Sequence, residues 1–217
     1  MKRDPVRASV LSSKIIPNVS PELAKKLGLS PEHKSLALLT TDCDDVGYTA
    51  IDEATKKADV SVVYAKSFYG GAANANTKLA GEFIGMLAGP NPAEVKAGLQ
   101  AAVDMVENGA YFISANEDDS IVYYAQCISR TGSYLSEGAG IKEGEALAYL
   151  IAPPLEAMYA VDAAMKAADV ELCVLYAPPS ETNFGGALLT GSQSACKSAC
   201  EAFAAAVGYV AENPRVE

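Results

Sequence analysis

The sequence is poor in the residues that most often hold metals or drive catalysis. Among its 217 residues there is one histidine, His33, and five cysteines, none of them in a CxxC pair. Cys196 and Cys200 lie four residues apart, on one face of a predicted helix, but zinc normally takes four Cys or His ligands and two more are missing. We therefore expect no metal and no cofactor, with the thiols as small buried side chains in a reducing compartment.

Long apolar runs and basic clusters are also absent. No stretch approaches the roughly 20 continuous apolar residues that span a bilayer, and the basic start over residues 1–5 is not followed by the apolar run of a signal peptide. The formal net charge is −10, which disfavours contact with a phosphate backbone. These features predict a cytosolic protein that binds neither nucleic acid nor a membrane.

Catalytic motifs are equally missing. The sequence contains no GxGxxG or Walker pattern. Residues 191–194, Gly-Ser-Gln-Ser, match neither a nucleophile elbow nor a phosphate loop. His33 stands alone in a Pro-Glu-His-Lys turn, where we expect it to be exposed to solvent. The pattern argues against an enzyme.

An internal repeat is the strongest positive signal. Residues 51–60 match residues 161–170 at an offset of 110, with six identities in ten positions, and each copy is followed by an apolar, strand-like run. A second match, residues 87–89 with 189–191, occurs in the same order. This pattern predicts a duplication, with one domain over residues 1–110 and a second over 111–217.

Each copy is predicted to run strand, helix, strand, loop, strand, helix. Asn91, Pro92 and Glu94 give an N-cap, a first-turn proline and an acidic third position, a typical helix start, and Gly109 is placed to end that helix. One or two extra strands are expected within residues 110–140. The remaining predicted elements are strands at 35–40, 81–88 and 146–152 and helices at 50–58, 155–168 and 193–211.

At these residues the chain resembles the bacterial microcompartment shell-protein family. Residues 157–170 look like the first helix and following strand of that family, and residues 185–191 resemble its glycine loop and third strand. The order of motifs over residues 8–214 is similar to that of the tandem-domain, ethanolamine-utilisation type. The most specific strings lie at 129–135, 152–157 and 178–183.

The resemblance implies an α/β (α+β) fold of two circularly permuted domains, each a small antiparallel sheet flanked by helices. It also implies a homotrimer that forms a pseudohexagonal tile, contacts other shell proteins at its edges, and lies in the microcompartment shell in the bacterial cytoplasm. Loops at 67–77 and 177–186 are then expected to line a central pore. The implied gate residues are Phe68, Tyr69, Gly70, Gly71, Asn183 and Phe184.

Glycines in the first loop would let it adopt two backbone conformations, and Phe68 and Tyr69 are large enough to plug a channel. The alternative is an ordinary flexible surface loop.

Three acidic residues, Asp42, Asp44 and Asp45, follow the first predicted strand. On their own they fit a solvated turn, a cation site or an acid–base pair. The resemblance implies an ethanolamine site in which Asp45 and Glu82 hold the ammonium group, backbone carbonyls near Phe112 and Asn183 accept hydrogen bonds, and Tyr69 and Thr182 close the pocket. The implied ligand-binding residues are Asp44, Asp45, Glu82, Phe112, Thr182 and Asn183.

Three functions stay open at this point. A structural shell tile with gated pores is the first, a regulatory module that binds a metabolite is the second, and an enzyme with unfamiliar catalytic carboxylates is the third. Tiles should pave flat sheets, whereas a regulatory module would remain as separate particles.

Overall fold

The computed structural model describes residues 3–68, 81–178, 180 and 182–215. Its strands are β1 (Pro5–Val6), β2 (Val10–Ile16), β3 (Ser35–Thr41), β4 (Ser61–Phe68), β5 (Glu82–Gly89), β6 (Phe112–Ser114), β7 (Val122–Ile128), β8 (Ala146–Ala152), β9 (Val170–Tyr176) and β10 (Gly185–Gly191). Its α-helices are α1 (Pro21–Leu27), α2 (Asp44–Lys57), α3 (Pro92–Asp104), α4 (Ser133–Ala139), α5 (Pro154–Ala167) and α6 (Gln193–Glu212). A single π-helical turn over Met105–Gly109 follows α3.

The same succession of elements occurs twice, as strand, helix, strand, helix, strand, strand, helix. The first copy runs from β2 to α3 and forms a sheet of order β2-β3-β5-β4, and the second runs from β7 to α6 with the matching order β7-β8-β10-β9. All the paired strands are antiparallel. The predicted mixed α/β fold with two tandem copies and antiparallel sheets is confirmed.

The edge of the second sheet is extended by β6 and then by β1, which pairs Pro5 with Ile113. A segment from the start of the chain thus completes the sheet of the second copy. The division at residue 110 stays a prediction. Strand β1 belongs to the first predicted domain but pairs with β6 of the second.

The structure corrects the predicted elements at three places. Strand β2 and helix α1 precede β3 and were not predicted, although Ser20 caps α1 and Pro21 opens it. The helix predicted from about residue 50 starts earlier, at Asp44, because packing rather than the weak helix propensity of residues 44–49 decides this end. Helix α4 was also not predicted, since its N-cap Gly132 offers no side-chain acceptor.

One large hydrophobic cluster spans the two copies. Helices α2 and α3 cover one face of the first sheet, and α5 and α6 cover one face of the second. The other face of the second sheet packs against the first copy, so that Leu147 and Ile151 lie in the same cluster as Ile51 and Phe83. This shared layer holds the two copies together. In the described part of the chain, none of the helices has the length and apolar content needed to cross a bilayer.

Candidate functional site

A cavity of about 650 Å³ lies between the two copies. One wall comes from α2 and β4 of the first copy, and the other comes from α4, β8 and the residues that follow β9 in the second. Both copies are therefore needed to form it.

Asp44 and Asp45 lie in this cavity at the start of α2, with 4% and 6% of their surfaces exposed. The Asp45 backbone N–H donates to Asp44 Oδ1 at 3.0 Å, and the Tyr149 hydroxyl donates to Asp45 Oδ1 at 2.7 Å. Ser67 and the Gly81 backbone also hydrogen-bond to the Asp44 carboxyl. The solvated-turn interpretation of this acidic pair is wrong, since both carboxyls are buried in the first turn of a helix.

Burial shifts the protonation of both carboxyls in the same direction. Desolvation raises the pKa of Asp44 to about 6, although hydrogen bonds from Ser67 and three backbone N–H groups lower it. Burial also raises the pKa of Asp45 well above its usual range, and the charge of Asp44 adds to this effect. Two buried carboxyls side by side disfavour double ionisation, which makes the pair a natural acceptor for a cation.

Aromatic side chains form much of the remaining wall. The rings of Tyr48 and Tyr134 stack with centroids 6.0 Å apart and an interplanar angle of 7°. Tyr48 also shares a 2.9 Å hydrogen bond between its hydroxyl and Ser67 Oγ. Tyr149 and Tyr176 complete the aromatic lining. The cavity thus joins an anionic end to walls that combine apolar rings with hydroxyl groups.

Three of the six predicted ligand-binding residues meet at this cavity, namely Asp44, Asp45 and Thr182. Gly81 lies between two of them, because a Cβ placed on it would stand 2.9 Å from Thr182 Cγ2 and 3.9 Å from Asp44 Oδ2. Glu82 is buried next to Gly81, at the start of β5 opposite Phe68.

The other two predicted ligand-binding residues are not among those that line this cavity. Phe112 is fully buried in the shared core, 5.2 Å from the ring of Tyr124, and Asn183 is exposed.

The predicted gate residues are only partly described. Phe68 ends β4 and is half-buried, whereas Tyr69, Gly70 and Gly71 lie outside the described residues. Phe184 is half-buried and faces the ring of Phe112, with centroids 6.2 Å apart.

Sequence reasoning missed the tyrosines of the cavity, above all Tyr149. Tyr149, opposite Leu188 in the second sheet, corresponds to Leu38, opposite Met86 in the first sheet. Comparison of the two copies therefore shows a tyrosine where the first copy has a leucine. A phenol that replaces leucine at a buried strand position needs a hydrogen-bond partner, and that partner is Asp45.

A second set of polar contacts joins the copies two helical turns beyond the acidic pair. Asp52 of α2 accepts the Gly132 N–H through Oδ2 at 2.7 Å and the Leu135 N–H through Oδ1 at 2.8 Å. Thr55 Oγ1 accepts the Ser133 N–H at 3.1 Å, and Lys56 Nζ donates to the Arg130 carbonyl at 3.0 Å. Helix α4 therefore receives its N-terminal cap from a residue of the other copy, and its own N-cap residue, Gly132, has no side chain that could serve.

We expect Asp52→Ala to lower the free energy of unfolding by about 3 kcal/mol, because it leaves two buried N–H groups without an acceptor. For a chain of this size, the melting temperature should fall by roughly 6–12 °C in a calorimetric or circular-dichroism melt. Glu201→Ala is the matched control, since Glu201 is 68% exposed and reaches Lys197 only at 4.0 Å. It should stay within about 0.5 kcal/mol of the parent protein, and an equal loss in both variants would contradict the capping role.

Comparison with known proteins agrees with this architecture. The BMC domain family matches residues 35–117 and 152–214. The chain is 72% identical to the bacterial microcompartment shell protein EutL of Clostridium perfringens (strain 13 / Type A), over 99% of each chain. It is 54% identical to EutL of Salmonella typhimurium, over 97% of this chain and 96% of that one.

Among solved structures, the ethanolamine utilization protein EutL from Leptotrichia buccalis C-1013-b superposes with a TM-score of 0.95 at 70% identity, over 100% of both chains. EutL from Clostridium perfringens superposes with a TM-score of 0.93 at 72% identity, over 99% of this chain and 97% of that one. The chain therefore belongs to the BMC-domain family of bacterial microcompartment shell proteins, as a structural, non-enzymatic member of the EutL type.

Proposed function

We propose that three copies of this chain form a six-lobed tile of the ethanolamine-utilisation shell in the bacterial cytoplasm. In this proposal the tile has a gated central pore, small ethanolamine-binding sites within each chain, and edges that contact other shell proteins. The observation that carries the proposal is a helix face that is buried in one copy of the repeat and exposed in the other.

In the first copy that face belongs to α2 and packs on the second copy. Asp45 bonds Tyr149, Tyr48 stacks on Tyr134, and Thr49 shares a 2.8 Å hydrogen bond with the Tyr124 hydroxyl. The offset of 110 residues places Leu155, Met158 and Tyr159 at the same positions of α5. Their exposed fractions are 62%, 41% and 51%. Large apolar side chains that are exposed together on one helix face are unusual in a monomeric protein.

The surface that would receive this face is present on the first sheet. Leu38 opposes Met86 there, in the positions that Tyr149 and Leu188 occupy in the second sheet, and both are half-buried. Placing α5 of one chain against the first sheet of the next repeats the internal junction between chains. Such a head-to-tail contact forms a ring when its rotation closes, and three two-copy chains give six lobes.

The same ring supports the pore proposal. Strands β4 and β9 hold corresponding positions in the two sheets, so a ring would bring the six segments that follow these strands around one axis. We propose that residues 67–77 and 177–186 line this pore and that Phe68, Tyr69, Gly70, Gly71, Asn183 and Phe184 form its gate.

Ethanolamine fits the chemistry of the cavity between the copies. Its ammonium group needs anionic acceptors, which Asp44 and Asp45 supply, and its hydroxyl group needs a neutral partner, which Thr182 supplies. We propose that Glu82 and backbone carbonyls near Phe112 and Asn183 complete the site. A similar structure at 70% identity, named ethanolamine utilization protein EutL, supports this ligand class.

A regulatory module that binds the same amine is the second candidate, because the cavity alone would serve either role. The exposed face of α5 favours the tile. A regulatory module would need no such face.

The assembly can be tested directly on the purified chain. Native mass spectrometry should give three times the 22.5 kDa chain mass, and electron microscopy at high protein concentration should show flat sheets. Monomers that remain as separate particles would contradict the tile. Crystals soaked in ethanolamine should show density beside Asp45, and an empty cavity at saturating ligand would contradict the amine site.

A further inference from the structure

We propose that the empty site holds one proton shared between Asp44 and Asp45, and that an ammonium ligand expels this proton to solvent when it binds. The site then changes from one negative charge to two as the ligand brings one positive charge. No covalent bond other than the O–H bond is broken. The inference rests on the proposed amine site and adds a proton linkage to it.

The geometry supports a shared proton. The two side chains are neighbours in the chain, both are almost fully buried, and both line the same cavity. Two carboxylates side by side can only accept hydrogen bonds, whereas a carboxyl can donate one to a neighbouring carboxylate. A single proton on the pair therefore lets one side chain donate to the other and removes one buried negative charge.

The other partners of the pair are neutral donors. The Tyr149 hydroxyl donates to Asp45, and the Ser67 side chain and Gly81 backbone bond to Asp44. Neutral donors stabilise one negative charge well, but they do not cancel two. A cation is needed before both carboxyls can ionise together.

Charged and titratable groups approach the pair from every surrounding element. Lys66 is the one basic side chain among the described residues of the cavity lining, and no ion pair joins it to either aspartate in that part of the chain. The acidic groups Glu82 and Glu137 supply no positive charge to compensate the pair. Among the described residues, the titratable groups near the pair are Cys43 at the N-cap of α2, Tyr48 on α2, Lys66 on β4, Glu82 on β5, Tyr124 on β7, Tyr134 and Glu137 on α4, Tyr149 on β8 and Tyr176 on β9.

The direction of the linkage follows from the pKa shifts. Burial raises the pKa of Asp44 to about 6 and that of Asp45 well above its usual range, which favours a proton on the pair in the absence of ligand. A bound cation stabilises the ionised forms and lowers both pKa values. Affinity should consequently rise as pH rises, by about tenfold per pH unit for each proton released.

Titration calorimetry with ethanolamine as the probe measures the linkage. At pH 7, titrations in buffers with different ionisation enthalpies should give about one proton released per ligand bound, and the affinity should rise about tenfold between pH 6 and pH 7. Asp45→Asn should reduce the release below half a proton at pH 7, because the remaining carboxyl, Asp44, has a pKa of about 6 and is already largely ionised. The matched control Asp169→Asn, a change at an exposed position, should keep the full release.

The outcomes separate the two proposals. Binding with no proton release and with an affinity independent of pH would overturn the linkage and leave the amine site standing. An absence of binding at every pH would overturn both. The wild-type measurement decides the question even when Asp45→Asn does not fold.

Discussion

Asp45→Asn is expected to weaken ethanolamine binding at pH 7.5 by about 100-fold, because a charge-assisted hydrogen bond to a buried carboxylate contributes about 1.5–3 kcal/mol. The substitution keeps the size of the side chain and leaves an amide oxygen to accept the Tyr149 hydroxyl. The loss should therefore fall on the ligand more than on the fold. Titration calorimetry gives the dissociation constant.

Two comparisons keep this result interpretable. Glu201→Gln makes the same change of charge at an exposed position of α6 and should alter the affinity less than twofold. The melting temperature of Asp45→Asn should stay close to that of the parent protein. An affinity within threefold of the parent value would show that Asp45 does not hold the ammonium group.

Met158→Asp is expected to convert the proposed trimer into monomers at micromolar concentration. Met158 is 41% exposed in the single chain, and in the proposed ring it would lie in the middle of the α5 contact with the next protomer. A carboxylate without a partner is strongly disfavoured in an apolar contact of this kind. Size-exclusion chromatography with light scattering should report the mass of one chain.

The control is Ala97→Asp, which places the same charge on the exposed side of α3, a helix that packs within its own copy. This variant should remain trimeric. Both variants should keep the helical circular-dichroism signal, since Met158 lies outside the buried clusters of the single chain. A trimer that survives Met158→Asp at low micromolar concentration would contradict the α5 junction.

The parts of the fold that depend on local signals could be predicted from the sequence. Asn91 accepts the Ala93 and Glu94 N–H groups as the N-cap of α3, and the buried strand β8 spans the seven residues predicted for it. The duplication was also visible, because neighbouring identities survive at a nearly fixed offset. These signals lie within one element or within one repeat.

The missing parts depend on contacts between distant residues. Helix α4 is capped by Asp52, about 80 residues earlier in the chain, so its own segment shows no start signal. Tyr149 reaches Asp45 across 104 positions. The sequence indicated the acidic pair because its members are adjacent, but neither its burial nor its aromatic surroundings follow from local pattern.

The unequal junctions have an evolutionary consequence. In a ring of six identical subunits, every substitution occurs at all six junctions. A polar site that evolves at one junction therefore appears at the other five. Fusion of two copies separates the junctions into two classes that can mutate independently. In the proposed tile, Asp45 lies at the three junctions within chains, and Leu155 lies at the three junctions between chains. The first class can then bind a ligand, while the second holds the chains together.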